Sequence, residues 1–99
     1  MTLQVELVHF TGCPNAARAR ENLRQALEVA GLGTGWEEWD LTGAATPPRV
    51  QGYGSPTVLV NGRDVTGGTP EGSAMSCRAD GAPAVSVILG ALRGQAREG

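Results

Sequence analysis

Residues 3–16 run Leu-Gln-Val-Glu-Leu-Val-His-Phe-Thr-Gly-Cys-Pro-Asn-Ala, an extended pattern that stops abruptly at a cysteine and a proline. Leu3, Val5 and Leu7 share one face of an extended chain, and Val8 and Phe10 then fill the other. A segment whose second half is apolar on both faces is expected to be a central strand, here over 3–10. Thr11-Gly12 breaks it. Pro14 suits the first position of a helix, where its missing N–H costs nothing. Ala16, Ala19, Leu23, Ala26, Leu27 and Ala30 then recur at three- and four-residue spacing. Arg18, Glu21, Arg24, Gln25 and Glu28 fall largely on the opposite side. The spacing predicts a helix over 14–30, with Gly31 as its stop.

Further along, Gly33-Thr34-Gly35 reads as a turn and residues 36–41 as a short strand. Trp36 and Trp39 lie three apart, so a regular strand cannot hold both on one face. Gly43, Pro47, Pro48, Gly52 and Gly54 forbid a long helix in 42–54 but leave room for a single short turn. Residues 56–60, Pro-Thr-Val-Leu-Val, read as a strand, and Asn61-Gly62 is a strong two-residue hairpin signal. Residues 63–66 are the returning strand. Residues 67–82 form a long Gly-, Ser- and Thr-rich loop, a length usually tied to function or mobility. A last helix is expected from about Pro83 to Arg93, with Val85, Ile88, Leu89 and Leu92 on one stripe and a frayed tail from Gly94.

The element order is therefore strand, helix, strand, irregular link, hairpin, helix. The first three elements suit a right-handed crossover between parallel strands. The hairpin adds an antiparallel edge, giving an α/β fold with a mixed four-stranded sheet and helices packed against it. The 99 residues are enough for one modest core and too few for two, so residues 1–99 read as a single domain. Hydrophobic residues at 40% and charged residues at 18% match a folded chain and not a disordered one.

Composition also narrows function. A net charge of −2 argues against electrostatic binding of nucleic acid. All eight basic residues are arginines, scattered along the chain instead of clustered as a phosphate clamp. No apolar run approaches the roughly 20 residues that cross a bilayer, so no membrane partner is expected. The opening ten residues carry an acid and no basic n-region, unlike a signal peptide, and the expected compartment is the cytoplasm. Two cysteines, Cys13 and Cys77, are too few for a disulfide scaffold.

Cys13 stands between a strand end and a helix start. Unpaired N–H groups and about half a positive charge at a helix N-terminus favour a thiolate there. Arg18 lies one turn into the same helix. A cysteine that merely caps the helix or packs under the loop is the plainer alternative. A strand-Cys-Pro-helix order nevertheless places sulfur at a rim and not in a core, which favours a reactive role.

Together, Gly12-Cys13-Pro14-Asn15 and Gly54-Ser55-Pro56-Thr57-Val58-Leu59-Val60-Asn61-Gly62, in this element order, resemble the thioredoxin-like superfamily. Within it the chain is similar to small bacterial thioredoxin or glutaredoxin relatives with a Gly-Cys-Pro-Asn opening. Some of those carry an alkylmercury lyase or mercury-resistance label. The resemblance covers nearly the whole chain. It implies that Cys13 is the nucleophilic thiol, flanked by Gly12 and Pro14. It also implies a cis peptide between Ser55 and Pro56 beside that sulfur, with the Ser55 backbone available to a bound peptide or thiol. Redox-active members carry Cys-x-x-Cys, whereas here Ala16 holds the second position. Cys77, in Met75-Ser76-Cys77-Arg78, is the other thiol, and relatives often show Cys-Arg in this stretch; the plain alternative is an inert cysteine.

Three functions follow. The first is a thiol–disulfide oxidoreductase or monothiol exchange protein, in which Cys13 attacks a disulfide and Cys77 or an external thiol resolves it. The second is a thiol-binding protein that holds a soft ion such as mercury, copper or arsenite through Cys13 and Cys77, since two thiolates suit linear coordination. The third is a degenerate thioredoxin fold acting as an interaction module. No cofactor is implied. The expected partner is a thiol or disulfide, on a protein or a small molecule, and the expected state is a monomer or weak dimer. His9 reads as a proton acceptor for Cys13 or a nitrogen ligand, and more plainly as a strand-end histidine hydrogen-bonded at the sheet edge. Trp36 and Trp39 read as core and edge cover. Tyr53 reads as groove border or packing, and Glu37-Glu38 offers no carboxylate dyad.

Overall fold

In the computed structural model the backbone is described over residues 4–10, 13–32, 35–43, 48–50, 53–67 and 82–98. Strand β1 (Val5–His9) leads into helix α1 (Ala16–Ala30) and strand β2 (Glu37–Asp40). A short 3-10 turn at Pro48–Val50 follows, then strands β3 (Thr57–Val60) and β4 (Arg63–Asp64) and helix α2 (Val85–Glu98). The sheet has the order β2-β1-β3-β4. β1 pairs in parallel with β2, from Glu6↔Glu37 to His9↔Asp40. It pairs antiparallel with β3, from Val5↔Val60 to Val8↔Thr57. The expected mixed four-stranded α/β sheet is present, with β1 in its interior as its double-sided apolar pattern requires.

Both helices cover one face of the sheet. Val5, Leu7, Val58 and Val60 meet Ala19, Leu23, Ala26 and Leu27 of α1 and Ile88 and Leu92 of α2 in one buried cluster. Burying a Leu or Ile side chain contributes about 1.5–3 kcal/mol, so these two helical stripes hold the fold together. On the other face Val8, Leu59, Val50 and Tyr53 pack together, flanked by Trp39 and Leu41. Trp36 packs against the helical side and Trp39 against the opposite one, as their spacing of three demands. Among the described residues no helix is long and apolar enough to cross a membrane.

Element ends differ from the sequence reading in instructive ways. α1 begins at Ala16, with Asn15 as its N-cap, so Pro14 precedes the helix and does not open it. A tight turn sets this start: the Ala16 N–H donates to the Cys13 carbonyl at 3.2 Å. The C-terminus is as expected. Gly31 takes φ 72°, and the N–H groups of Gly31 and Leu32 return to the carbonyls of Glu28 and Leu27.

The hairpin is a true two-residue turn, with positive φ at Asn61 and Gly62 and Val60 opposite Arg63. Asn61 also ties the hairpin to the start of β1: its side-chain oxygen accepts the Gln4 N–H at 2.9 Å, and its own N–H donates to the Gln4 carbonyl. β4 is shorter than expected because Asp64 Oδ1 accepts from the Thr66 N–H and hydroxyl, turning the chain away. α2 starts at Val85 and continues to Glu98, past the expected end at Arg93. One glycine costs a helix only about 1 kcal/mol, and Gln95-Ala96-Arg97-Glu98 are good helix formers. The bulk of the expected loop, residues 68–81, lies outside the described residues.

Candidate thiol site

Cys13 stands on the short segment between β1 and α1. Its N–H donates to the Phe10 carbonyl at 3.2 Å, and its carbonyl accepts the Ala16 N–H at the same distance. The main chain of Cys13 is therefore tied on one side to Phe10, just past β1, and on the other to the start of α1. The residue is only 8% exposed, more covered than an open rim position. It belongs to neither apolar cluster of the two sheet faces. Pro14, next to it, is exposed. The Asn15 side chain makes no cap hydrogen bond and the first turn of α1 holds no acid. Among the described residues, the first turn of α1 thus offers no carboxylate to offset the positive end of the helix dipole, beside the cysteine.

Ser55 and Pro56 are both buried, and the bond between them is cis, as the sequence resemblance implied. Ser55 is joined to the cysteine segment through Phe10, whose N–H donates to Ser55 Oγ at 3.3 Å. A single residue therefore receives Cys13 on its carbonyl and reaches Ser55 with its amide. Thr57 secures the turn before β3, its hydroxyl donating to the Gly54 carbonyl at 2.6 Å. The structure thus brings Cys13 and Ser55-Pro56 to one end of the sheet. Gly12 and Cys77, with Met75 and Arg78, lie outside the described residues.

His9 Nε2 lies 3.3 Å from Glu38 Oε2, and its side chain is 15% exposed. Glu38 is the surprise of this region. Arg20 of α1 donates to both its oxygens, at 2.7 and 3.0 Å, and Trp36 Nε1 donates to Oε1 at 3.2 Å. These bonds, Arg20's first, hold the Glu38 carboxyl below the usual range, against the opposing effect of burial. The Arg20 guanidinium is correspondingly raised by its hydrogen bond to Glu38. Sequence reasoning considered Arg18, which is exposed, weighed Glu38 only as half of a rejected carboxylate dyad, and passed over Arg20. The usable signal was register. Once β2 is parallel to β1, Glu38 lies opposite Leu7 and so on the helix-covered side.

Glu6 is a second residue that alternation alone undervalued. It shares the face of Val8, is fully buried, and accepts a hydrogen bond from Trp39 Nε1 at 2.7 Å. Tyr53 is packing, 8% exposed within the cluster on that face. No protein-family model, curated protein or solved structure matches this chain.

Proposed function

We propose that the chain is a thioredoxin-like protein that carries out thiol–disulfide exchange through Cys13. The observation that carries this reading is the shared residue Phe10, hydrogen-bonded on one side to Cys13 and on the other to Ser55 at the cis Ser55–Pro56 bond. The position of Cys13 before α1, whose first turn has no acid, supports it too. So does the element order strand-helix-strand-hairpin-helix on one mixed sheet.

In the reaction the Cys13 thiolate attacks one sulfur of a disulfide. A bond forms between Cys13 and that sulfur, the original S–S bond breaks, and the other sulfur leaves as a thiolate that takes up a proton. A second thiol, Cys77 or an external one, then attacks the mixed disulfide and releases Cys13. No net oxidation occurs beyond the transfer of the disulfide from one pair of sulfurs to another. The limited exposure of Cys13 favours small or extended thiol substrates over bulky ones.

The test is incubation of the reduced protein with oxidised glutathione, followed by peptide-level mass spectrometry. The expected result is a glutathione adduct on Cys13 that turns over when reduced thiol is added, and no turnover in Cys13→Ser. A Cys13 that forms no adduct while the folded protein persists overturns the reading.

A further inference from the structure

Glu38 does more than decorate a sheet edge. It binds His9 at the end of β1 and Arg20 in α1. The chain between those two residues is the segment that contains Cys13. Main-chain bonds close the same region from inside: the His9 carbonyl accepts the Leu41 N–H at 2.6 Å, and Phe10 holds Cys13 and Ser55. One carboxylate on β2 therefore contacts both the strand that precedes Cys13 and the helix that follows it. We propose that Glu38 is a positioning residue for Cys13 and that protonation of His9 tightens this grip, so that thiol reactivity follows the charge on His9. This rests on the exchange reading only in naming Cys13 as the working thiol.

The groups around His9 support a charge-sensitive contact. From β2 come Glu38 and Asp40, the register partner of His9. Asp40 Oδ1 is engaged by the Thr42 N–H and hydroxyl, at 2.9 and 2.6 Å. From α1 comes Arg20, which donates to both oxygens of Glu38. From β3, Thr57 faces Val8 and contributes no charge. Glu38 is thus an acid in direct contact with the imidazole, 3.3 Å away. A neutral imidazole can donate one ordinary hydrogen bond to it, and a charged one donates a stronger, charge-assisted bond. A tighter bracket keeps Cys13 in its covered position and slows attack on it.

The test measures alkylation of Cys13 by iodoacetamide between pH 5 and 9, a reaction that forms a thioether and releases iodide. Peptide-level mass spectrometry separates Cys13 from Cys77, and the Cys13 rate is divided by its thiolate fraction, read from the ultraviolet absorbance of Cys77→Ser. His9 is the chain's sole histidine, so its titration is read directly by NMR. The expected result is a rise of about fivefold in rate per thiolate as His9 loses its proton, the factor that corresponds to about 1 kcal/mol, the excess of a charge-assisted hydrogen bond over a neutral one. The step should vanish in Glu38→Gln and in His9→Gln. Circular dichroism establishes that each variant is folded, and either variant suffices alone. A flat wild-type profile, or a step that survives in a folded variant, overturns the proposal. Failure of the glutathione adduct with the step intact removes the exchange function and leaves the bracket standing; an adduct without the step does the reverse.

Discussion

Trp39 Nε1 donates to Glu6 Oε2 at 2.7 Å, reaching from the edge strand β2 to a fully buried carboxyl on its neighbour β1. In the register Trp39 stands opposite Val8, so the indole extends diagonally along the shared face to reach Glu6. Removing the donor with Trp39→Phe is expected to destabilise the fold by about 1–3 kcal/mol, the cost of depriving a buried polar group of a partner. A double-mutant cycle with Glu6→Leu, which has no acceptor, checks this by urea unfolding. A coupling energy near zero would mean the bond contributes nothing.

Ser55 offers a second test, at the other end of β1. Ser55→Ala removes the acceptor of the Phe10 N–H and should cost roughly 0.5–1.5 kcal/mol. The same variant should change the rate at which Cys13 forms a mixed disulfide, because Phe10 also holds the cysteine. Stopped-flow exchange with a chromogenic disulfide measures it, and an unchanged rate would uncouple the two halves of the site.

Much of this architecture is legible in the amino-acid order alone. The apolar stripes of α1 and α2, the two-sided apolar half of β1, and Asn61-Gly62 each express a local preference that the packed fold also satisfies. What is not legible is set by neighbours distant in sequence. The N-terminus of α1 depends on where the Cys13 carbonyl points, which Pro14 does not announce. Glu6 looks like the polar half of an alternation, yet it is buried and accepts a hydrogen bond from an indole 33 residues away. Arg20 and Glu38 are ordinary surface types until a parallel register aligns them.

Acid should weaken the protein in part through Glu38. Its carboxyl is held below the usual range chiefly by Arg20. A carboxylate with a depressed folded-state pKa contributes stability above its unfolded pKa, about 4.3, and loses it as pH falls through the folded value. The difference in thermal midpoint between wild type and Glu38→Gln should therefore be largest near neutrality and shrink below about pH 4. A difference constant from pH 7 to pH 3 would contradict this.

Alkali should act through Tyr53. Burial first, and the charge of Asp64 second, push its phenol above the ordinary value. The neutral form is favoured in the folded state, so stability present below about pH 10 is lost as pH rises through the shifted value. Tyr53 is the chain's single tyrosine, so absorbance near 295 nm titrates it alone. The midpoint should lie above that of the urea-unfolded chain and fall partway back in Asp64→Asn.

Glycine substitutions should have opposite signs in two places. A Cβ at Gly62 would meet nothing within 4 Å, yet its φ of 81° is hostile to L side chains. Gly62→Ala should therefore cost about 1–2 kcal/mol through the backbone alone. Gly90 lies within α2, where a Cβ also meets nothing within 4 Å. Gly90→Ala should stabilise by about 0.5–1 kcal/mol. Thermal unfolding of the two variants checks the contrast.

The meeting of Cys13 with Ser55 through Phe10 also has a history within each newly made chain. Ser55 is synthesised 42 residues after Cys13 (55 − 13), which at roughly 5–20 residues per second is an interval of about 2–8 s. Until then the Phe10 amide lacks its acceptor, and β1, apolar on both faces, lacks its β3 neighbour. The nascent protein thus carries its thiol and its stickiest strand before the residues that shelter them exist, and is most vulnerable to oxidation and to self-association while still on the ribosome.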